Sequence, residues 1–390
     1  MARKPKVNTT INGKEYFRTT LTLGYDSSGT QIQKQFYGRT KGEAEEKKQN
    51  YIYMLENGIN PDLGILTLDN AINEWLWNIE RYSGIKSSTF ERYESIYRNH
   101  IKDSMIGRIQ VSEVNKMIIQ RYYNELLDSG KSTIFLDKLN KFLSKFFKFA
   151  QSEGYIVRNP IYGLKLPKKD EDDINYNERE IETFTDEEIK NILAALDPNS
   201  KTRYIVLFAV MTGARMGEIL PLEKDDIVGD VVRINKTLRT VRVYTDKDKY
   251  SYEQKITRPK SESSIREVPI PERLKAELKN LDILVKEERL RLGPDYKPNK
   301  LLFPSITGTY IDDKNLRTSW KRALNRANIP YKKFHALRHT YATRMIENGV
   351  ELLTVSRLLG HSTIKTTEVY AHTSEESKIK AVQTLNSLFD

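Results

Sequence analysis

The segment 335–372 decides how this chain is interpreted. It contains three short blocks: HALRHTYATR at 335–344, LLGHS at 358–362 and TTEVYAH at 366–372. Four of the five histidines of the chain lie in this segment. His335 and Arg338 are three positions apart, so on a helix they share one face. An amphipathic stretch and a glycine turn separate Arg338 from His361, and Tyr370 follows nine residues later.

These side-chain types together suit the chemistry of a phosphodiester. An arginine such as Arg338 can bind two non-bridging phosphate oxygens at once. A histidine can donate to the same group or shuttle a proton. A tyrosine can act as a nucleophile and form a covalent intermediate. The segment has no cysteine and no nearby acidic triplet, so no metal site is predicted.

Length and composition limit the number of domains and the classes of protein to which this chain can belong. A chain of 390 residues predicts two or three domains. The net charge of +11 favours a polyanion as partner. The absence of cysteine excludes disulfides and cysteine-ligated zinc. The sequence has no secretory h-region and no apolar run of membrane-spanning length, so we expect a soluble, cytoplasmic and nucleoid-associated protein with no membrane contact.

Residues 1–66 are predicted to form a small α+β unit. Tyr16–Leu23 alternates as a strand, Gln31–Tyr37 is the return strand, and Lys41–Asn57 has helical periodicity. The basic residues lie on the strands, as expected for a sheet that enters a DNA groove, although a solvated basic sheet is the alternative. The candidate DNA contacts in this unit are Arg3, Lys4, Lys6, Arg18, Lys34 and Arg39.

Residues 67–168 are predicted to form an all-helical domain. The first helix presents Leu68, Ala71, Ile72, Trp75, Leu76 and Ile79, and the third presents Val114, Ile118, Tyr122 and Leu126. A fourth helix, Leu136–Glu153, carries phenylalanines on one face and a lysine stripe on the other. The stripe is either a solvated face or a track along phosphates, and it consists of Lys138, Lys141, Lys145 and Lys148.

An acidic linker, 169–183, precedes a last domain predicted over 184–390. Thr185 and Glu188 form a capping box that opens its first helix. Further on, TGARMGE at 212–218 combines two glycines with Arg215. The glycines permit a tight turn that directs Arg215 into a cleft, where Glu218 holds the guanidinium, unless the pair is only a structural bridge. Four short β runs follow, with Lys260 on a turn between the last two.

The ordered set of Arg215, Lys260, His335, Arg338, His361 and Tyr370 resembles the tyrosine recombinases, the phage-integrase family. The resemblance extends to integrases of conjugative transposons and temperate phages. It implies a multidomain fold that clamps DNA: a small N-terminal α+β domain with a three-stranded sheet and a helix, an all-α core-binding domain and a mainly-α α+β catalytic domain. The hairpin region 237–258 departs from the shortest members.

The family resemblance also implies roles for the six residues. Tyr370 attacks the scissile phosphate, which gives a 3′-phosphotyrosyl link and frees a 5′-hydroxyl. Arg215 and Arg338 clamp the non-bridging oxygens, and His361 donates a hydrogen bond to one of them. His335 is the acid–base group, because a phenol with a pKa of about 10 is only about one part in a thousand ionised at neutral pH. Lys260 protonates the leaving oxygen, and no metal, ATP or other cofactor is required.

Supporting roles and partners complete the predictions. Glu218, His339 and His372 are expected to support the site, with His339 otherwise a core residue and His372 otherwise a bystander. Tyr341 is expected to pack within its helix. The implied partners are double-stranded DNA, a homo-tetramer with the C-terminal helix 374–389 docked on a neighbouring subunit, and an accessory DNA-bending or excision factor. Two alternatives remain open: a type IB topoisomerase and a non-catalytic DNA-binding protein of the same fold.

Overall fold

The computed structural model describes residues 9–167, 181–247, 249–259 and 261–370. The chain divides into two compact units, Met1–Asn175 and Tyr176–Asp390. Whether 1–66 and 67–168 act as separate domains stays a prediction. Several predicted features lie outside the described residues: Arg3, Lys4, Lys6, Lys260, His372, most of the linker 169–183 and the helix 374–389.

The first unit begins with an antiparallel sheet of three strands and continues in helices. The strands are β1 (Thr9–Ile11), β2 (Lys14–Tyr25) and β3 (Gln31–Gly38), in the order β1-β2-β3. The helices are α1 (Lys41–Glu56), α2 (Pro61–Gly64), α3 (Leu68–Asn78), α4 (Ser87–His100), α5 (Lys116–Asp128) and α6 (Thr133–Ser152). The predicted small sheet and mostly helical architecture are therefore confirmed.

Local hydrogen bonds explain where the elements of the sheet region begin and end. The Asp26 carboxylate accepts the backbone N–H groups of Ser28 and Thr30, which closes the turn between β2 and β3. Thr40 caps α1 by accepting from the backbone of Glu43. The ring of Phe36 on β3 then meets the edge of Tyr51 on α1, with centroids 5.2 Å apart. The helix thus covers one face of the sheet.

The helical part of the first unit packs around Trp75. Its ring lies against Phe142 and Phe146 of α6, with centroids 5.8 and 5.6 Å away. Ile79, which was predicted on the same buried face of α3, is 46% exposed because it is the C-cap, where the chain leaves the helix. The predicted face of this helix is otherwise buried: Leu68, Ala71, Ile72, Trp75 and Leu76.

The buried face of α5 is one residue away from the predicted one. The buried residues are Ile119, Tyr123 and Leu127, whereas the predicted Ile118, Tyr122 and Leu126 are only partly buried. Val114, which precedes the helix, is buried as predicted. Each of the three predicted positions within α5 has an apolar or aromatic neighbour one residue on, so periodicity cannot choose between two adjacent faces. Packing against α6 makes the choice, and Tyr123 donates a hydrogen bond to Asn140 of that helix.

Two of the lysines predicted to contact DNA take part in the packing of the first unit. Lys145 forms an ion pair with the buried Glu80, and its ammonium lies 5.6 Å from the centre of the Tyr93 ring. Lys34 pairs with Asp62. The other members of the stripe on α6 are exposed: Lys138, Lys141 and Lys148. DNA contact by any of these lysines stays a prediction.

The second unit combines eight helices with two small sheets in its described part. The helices are α7 (Asp186–Ala195), α8 (Lys201–Thr212), α9 (Met216–Ile219), α10 (Glu272–Leu292), α11 (Asp313–Arg326), α12 (Ala336–Glu347), α13 (Leu352–Leu359) and α14 (Lys365–Glu368). The strands are β4 (Ile227–Val228), β5 (Val231–Ile234), β6 (Thr237–Asp246), β7 (Lys249–Thr257) and β8 (Arg266–Pro269). Strands β4, β5 and β8 form one sheet, and β6 and β7 form a hairpin. The four predicted β runs are confirmed.

The core of the second unit surrounds α8. This helix is buried nearly all round, and it packs against α7, α10, α11 and α12. The predicted capping box of Thr185 and Glu188 opens α7. A second cluster, Ala342, Val355, Leu359 and Tyr370, joins α12 to α13 and the segment that follows α14. Within the described residues, no helix is both long and apolar enough to span a membrane.

Candidate active site

A glycine turn at the end of α8 positions Arg215. Gly213 ends the helix with φ +65°, and a Cβ at this position would lie 2.5 Å from the Tyr341 ring. Arg215 is then the N-cap of α9. The carboxylate of Glu218 accepts from the Arg215 backbone N–H at 2.9 Å and from its guanidinium Nη1 at 2.8 Å. The predicted contact between Arg215 and Glu218 is present.

Arg266 is part of the site although no sequence pattern identified it. Its Nη2 donates at 2.9 Å to Oε2 of Glu218, the oxygen that also accepts from the Arg215 backbone N–H, and its Nε donates to the Leu358 carbonyl at 2.6 Å. Burial by itself would raise the pKa of Glu218, but the Arg266 and Arg215 guanidiniums lower this pKa to about 2. The alternation of strand β8 could have identified Arg266, because it places this charged residue at an inward position. A buried charge needs a partner.

Arg338 is almost completely buried, with 1% of its surface exposed. Its Nη1 donates to the Gly213 carbonyl at 2.8 Å and its Nη2 to the Leu359 carbonyl at 2.5 Å. These carbonyls lie at the C-terminal ends of α8 and α13, where partial negative charge accumulates. Burial, Arg215 and Arg266 lower the pKa of Arg338 to about 9, so the guanidinium is still charged at neutral pH.

His335 is the N-cap of α12 and lies at the open side of the site. It lines a cavity of about 240 Å³ together with residues that include Arg215, Arg317 and Lys333. The residue as a whole is exposed. The surrounding protein atoms, and then His339, Arg338 and Arg215, nevertheless lower the pKa of His335 to about 4. The imidazole is therefore neutral at neutral pH.

His361 follows the left-handed C-cap of α13, Gly360, whose φ is +67°. A Cβ at Gly360 would lie 2.9 Å from the Ser263 carbonyl oxygen and 3.0 Å from the Arg266 side chain. The Nδ1 atom of His361 is 2.7 Å from the hydroxyl of Thr367, which is fully buried. Burial, followed by Arg338, lowers the pKa of His361 to about 4.

Tyr370 is buried, with 7% of its surface exposed. Its phenol oxygen lies 2.7 Å from Nδ1 of His339. Burial raises the pKa of the phenol, and Arg338 and Arg215 oppose that effect. The structure thus brings His339, which was predicted as a supporting or core residue, into direct contact with Tyr370. Tyr341 packs against the same buried cluster and against Gly213, as predicted for a packing residue.

The described residues thus bring five of the six predicted catalytic side chains into one positively charged region, with Lys260 outside the described part. Two arginines and two neutral imidazoles can donate hydrogen bonds to an anion, and a phenol lies beside a third imidazole. No group of acidic, histidine or cysteine side chains in the described residues has the arrangement of a metal site. This arrangement suits nucleophilic attack by a phenol on a phosphate.

Comparison with known proteins identifies the family. The model of the phage integrase family matches residues 182–377, and the model of a phage integrase N-terminal SAM-like domain matches residues 67–127. A "Tyrosine recombinase XerC-like" protein of Caldanaerobacter subterraneus subsp. tengcongensis is 43% identical over 98% of this chain and 99% of its own length. The chain belongs to the phage integrase family of tyrosine recombinases. It is a site-specific recombinase, and the topoisomerase alternative is not favoured.

More distant relatives share the architecture of this recombinase. Tyrosine recombinase XerD of Staphylococcus epidermidis is 25% identical over 81% of this chain and 98% of its own length. The Tn1549 transposon integrase in complex with a circular intermediate DNA is 18% identical, with a TM-score of 0.64 over 82% of this chain and 99% of that one. The lambda integrase tetramer bound to a Holliday junction is 17% identical, with a TM-score of 0.58 over 95% of both chains.

Proposed function

We propose that this recombinase integrates and excises a mobile genetic element by cutting and rejoining double-stranded DNA through Tyr370. The observation that carries the proposal is the Arg338 guanidinium, which two carbonyls hold in place. An arginine has five N–H donors, so three remain for a phosphate. The residue next in sequence, His339, contacts the Tyr370 phenol. The DNA-bound forms of the Tn1549 and lambda integrases support the same class of substrate.

The proposed reaction needs only side chains of the protein. The Tyr370 oxygen bonds to phosphorus while the bond from phosphorus to the 5′ oxygen breaks, which leaves a 3′-phosphotyrosyl link. Arg215 and Arg338 stabilise the charge that develops on the non-bridging oxygens, and His361 donates to one of them. Lys260 protonates the leaving oxygen, and His335 exchanges protons at the open side of the pocket. The arginines supply the positive charge that a metal would supply, and the phosphotyrosine conserves the bond energy, so neither metal nor ATP is required.

The test is covalent capture on nicked DNA that spans the ends of the element carrying the gene. The wild-type protein should form a protein–DNA adduct in EDTA and without ATP. Tyr370→Phe should form none, whereas Tyr341→Phe, which removes a hydroxyl from the same buried region, should react normally. An adduct with Tyr370→Phe would refute the nucleophile assignment, and an absolute requirement for Mg²⁺ would refute the metal-independent mechanism.

Each arginine is expected to contribute strongly to the cleavage rate. Loss of one preorganised donor to a developing oxyanion costs about 10²–10³ in rate. Arg215→Ala and Arg338→Ala should therefore lower the single-turnover cleavage rate by about that factor, with smaller changes in DNA affinity. The rate is measured with the same nicked DNA at saturating protein. A loss confined to DNA affinity would contradict the proposed role.

The proposed assembly is a homo-tetramer on two DNA duplexes, in which the segment 374–389 docks on a neighbouring subunit. We include an accessory DNA-bending or excision factor as a further partner of this assembly. Deletion of 375–390 should abolish recombination between two DNA sites and leave the binding of a single site unchanged. Gel-shift and recombination assays measure the two properties, and full recombination by the truncated protein would contradict subunit exchange.

A further inference from the structure

The hydrogen bond between His339 and Tyr370 points to a function that the six-residue set does not include. The distance of 2.7 Å from Nδ1 to the phenol oxygen is that of a short, direct hydrogen bond. Among the described hydrogen bonds, none joins His335 to the Tyr370 phenol. The ring centroids of His335 and His339 are 4.8 Å apart, in an edge-to-face arrangement. The imidazole that touches the nucleophilic atom is therefore His339.

The surroundings of His339 favour a neutral ring that accepts a proton. Burial and then the Arg338 guanidinium lower the pKa of His339, and the smaller effect of the Glu182 carboxylate opposes them. A neutral imidazole has one N–H and one acceptor nitrogen. With its proton on Nε2, His339 presents an acceptor at Nδ1 to the phenolic O–H. The other group close to this ring is His335, which is itself neutral at neutral pH.

We propose that His339 is a further catalytic residue, the proton acceptor that activates Tyr370; this inference rests on the proposed function. As the Tyr370 oxygen bonds to phosphorus, its proton moves to Nδ1 of His339, and the departing 5′ oxygen takes a proton from Lys260. In the rejoining step the 5′-hydroxyl returns its proton to Lys260 and attacks phosphorus. The bond from phosphorus to the Tyr370 oxygen breaks, and the His339 imidazolium returns its proton to the leaving phenolate. Each proton removed in cleavage is restored in rejoining, so no outside reactant is consumed.

This proposal divides the acid–base chemistry between two histidines. His335 serves the phosphate side of the pocket, because it caps α12 and lines the open cavity. His339 serves the phenol, because it lies one turn further along the same helix and contacts the buried Tyr370. Loss of proton transfer to a positioned base lowers a rate by about 10²–10⁴-fold. His339→Asn keeps a hydrogen-bonding group near the phenol but cannot take up the proton.

The experiment changes the acidity of the nucleophile in the full-length protein. Tyr370 is replaced by 2,3,5-trifluorotyrosine, whose phenol ionises more readily, in the wild-type protein and in His339→Asn and His335→Asn. Single-turnover cleavage of nicked DNA is measured for each. We expect His339→Asn to react about 10²-fold more slowly with ordinary tyrosine and to regain about tenfold or more with the fluorinated residue. Equal losses with both tyrosines, or a gain confined to His335→Asn, would overturn the proposal.

Controls separate this inference from folding defects and from the proposed function. Thermal unfolding and DNA binding check that each variant is folded, and His339→Gln replaces His339→Asn if the latter is not. His339→Ala provides a second measurement, because added imidazole should raise its cleavage rate and leave Tyr341→Phe unchanged. No response of His339→Ala to imidazole would also refute the role of His339 as proton acceptor. Absence of any adduct with the wild-type protein would instead refute the proposed function.

Discussion

At the scale of single residues, each buried charge in the candidate site has a specific partner. Glu218 lies between two arginines, and Arg338 is held by two backbone carbonyls. In the described part of the chain, no buried side-chain nitrogen or oxygen lacks a hydrogen-bond partner. Burial of an unpaired charge is costly, so these contacts explain how a recombinase can store several positive charges in its interior.

The two depressed histidine pKa values predict a pH dependence of stability. His335 and His361 have pKa values of about 4 in the folded protein, against about 6.5 for an unperturbed histidine. Between these values the unfolded state binds more protons, so stability rises with pH and is lost as the pH falls from about 6.5 towards 4. The melting temperature should therefore be lower at pH 5 than at pH 7.5.

A variant tests whether the histidines cause this dependence. His361→Gln retains a polar group near the Thr367 hydroxyl but cannot bind a proton. Its melting temperature should fall less between pH 7.5 and pH 5 than that of the wild-type protein. Calorimetry at both pH values measures the difference, and an identical fall in both proteins would show that His361 does not contribute.

At the scale of elements, the end of α13 is held from two sides. Arg266 binds the carbonyl of Leu358, and Arg338 binds that of Leu359. These orphan carbonyls of a helix C-terminus need donors, and positive charge is favourable there. Because Arg266 also binds Glu218, it ties strand β8 and helix α13 to the turn that carries Arg215. His361 follows Leu359 by two residues, so the contacts of Arg266 and Arg338 with the end of α13 also position His361.

Replacement of Arg266 should damage both stability and catalysis. Arg266→Met leaves Glu218 with one fewer partner in a buried site, and breaking such a pair costs about 3–5 kcal/mol. The cleavage rate should fall as well, because Glu218 orients Arg215. Denaturant unfolding and single-turnover cleavage measure the two effects.

Two further variants serve as controls for the effects of Arg266→Met on stability and on the cleavage rate. Arg233→Met removes an exposed ion pair with Glu267 on the same sheet and should change stability by less than about 1 kcal/mol. Adding Glu218→Gln to Arg266→Met should recover part of the stability, since the buried carboxylate that lost one of its two arginines is gone, but not the cleavage rate. Wild-type cleavage by Arg266→Met would contradict a positioning role.

At the scale of the whole molecule, the excess positive charge serves two purposes. The net charge of +11 suits a polyanionic partner, but individual lysines also hold the fold together. In the stripe on α6, Lys148 is exposed, whereas Lys145 neutralises the buried Glu80. We therefore expect residues of the same helical repeat to differ in their effects on DNA binding and on stability.

This difference predicts opposite outcomes for two alanine variants. Lys148→Ala should weaken DNA binding and reduce the slope of log affinity against log salt by about one, with little change in stability. Lys145→Ala should lower the stability of the protein by about 1–3 kcal/mol, because Glu80 loses its partner. Fluorescence anisotropy across a salt series and thermal unfolding distinguish them, and equal salt slopes for Lys148→Ala and the wild-type protein would contradict a phosphate contact.

Local patterns in the sequence predicted most of the helices and strands and a set of candidate site residues. Alternation predicted the β2–β3 hairpin, and the residue types of segment 335–372 indicated phosphodiester chemistry. The resemblance to the tyrosine recombinases added Arg215 to the same predicted site. These features depend on residues close together along the chain or on a recurring order of motifs. They needed no knowledge of how the helices cross.

Contacts between side chains that are distant in the sequence could be identified only from the fold. Arg266 and Glu218 are 48 positions apart, and His339 and Tyr370 are 31 apart, so no local period connects them. The buried face of α5 and the pairing of Lys145 with Glu80 were likewise set by neighbouring helices. A contact between distant residues depends on the direction of each side chain after the helices and strands have packed. Local sequence preference does not specify that direction.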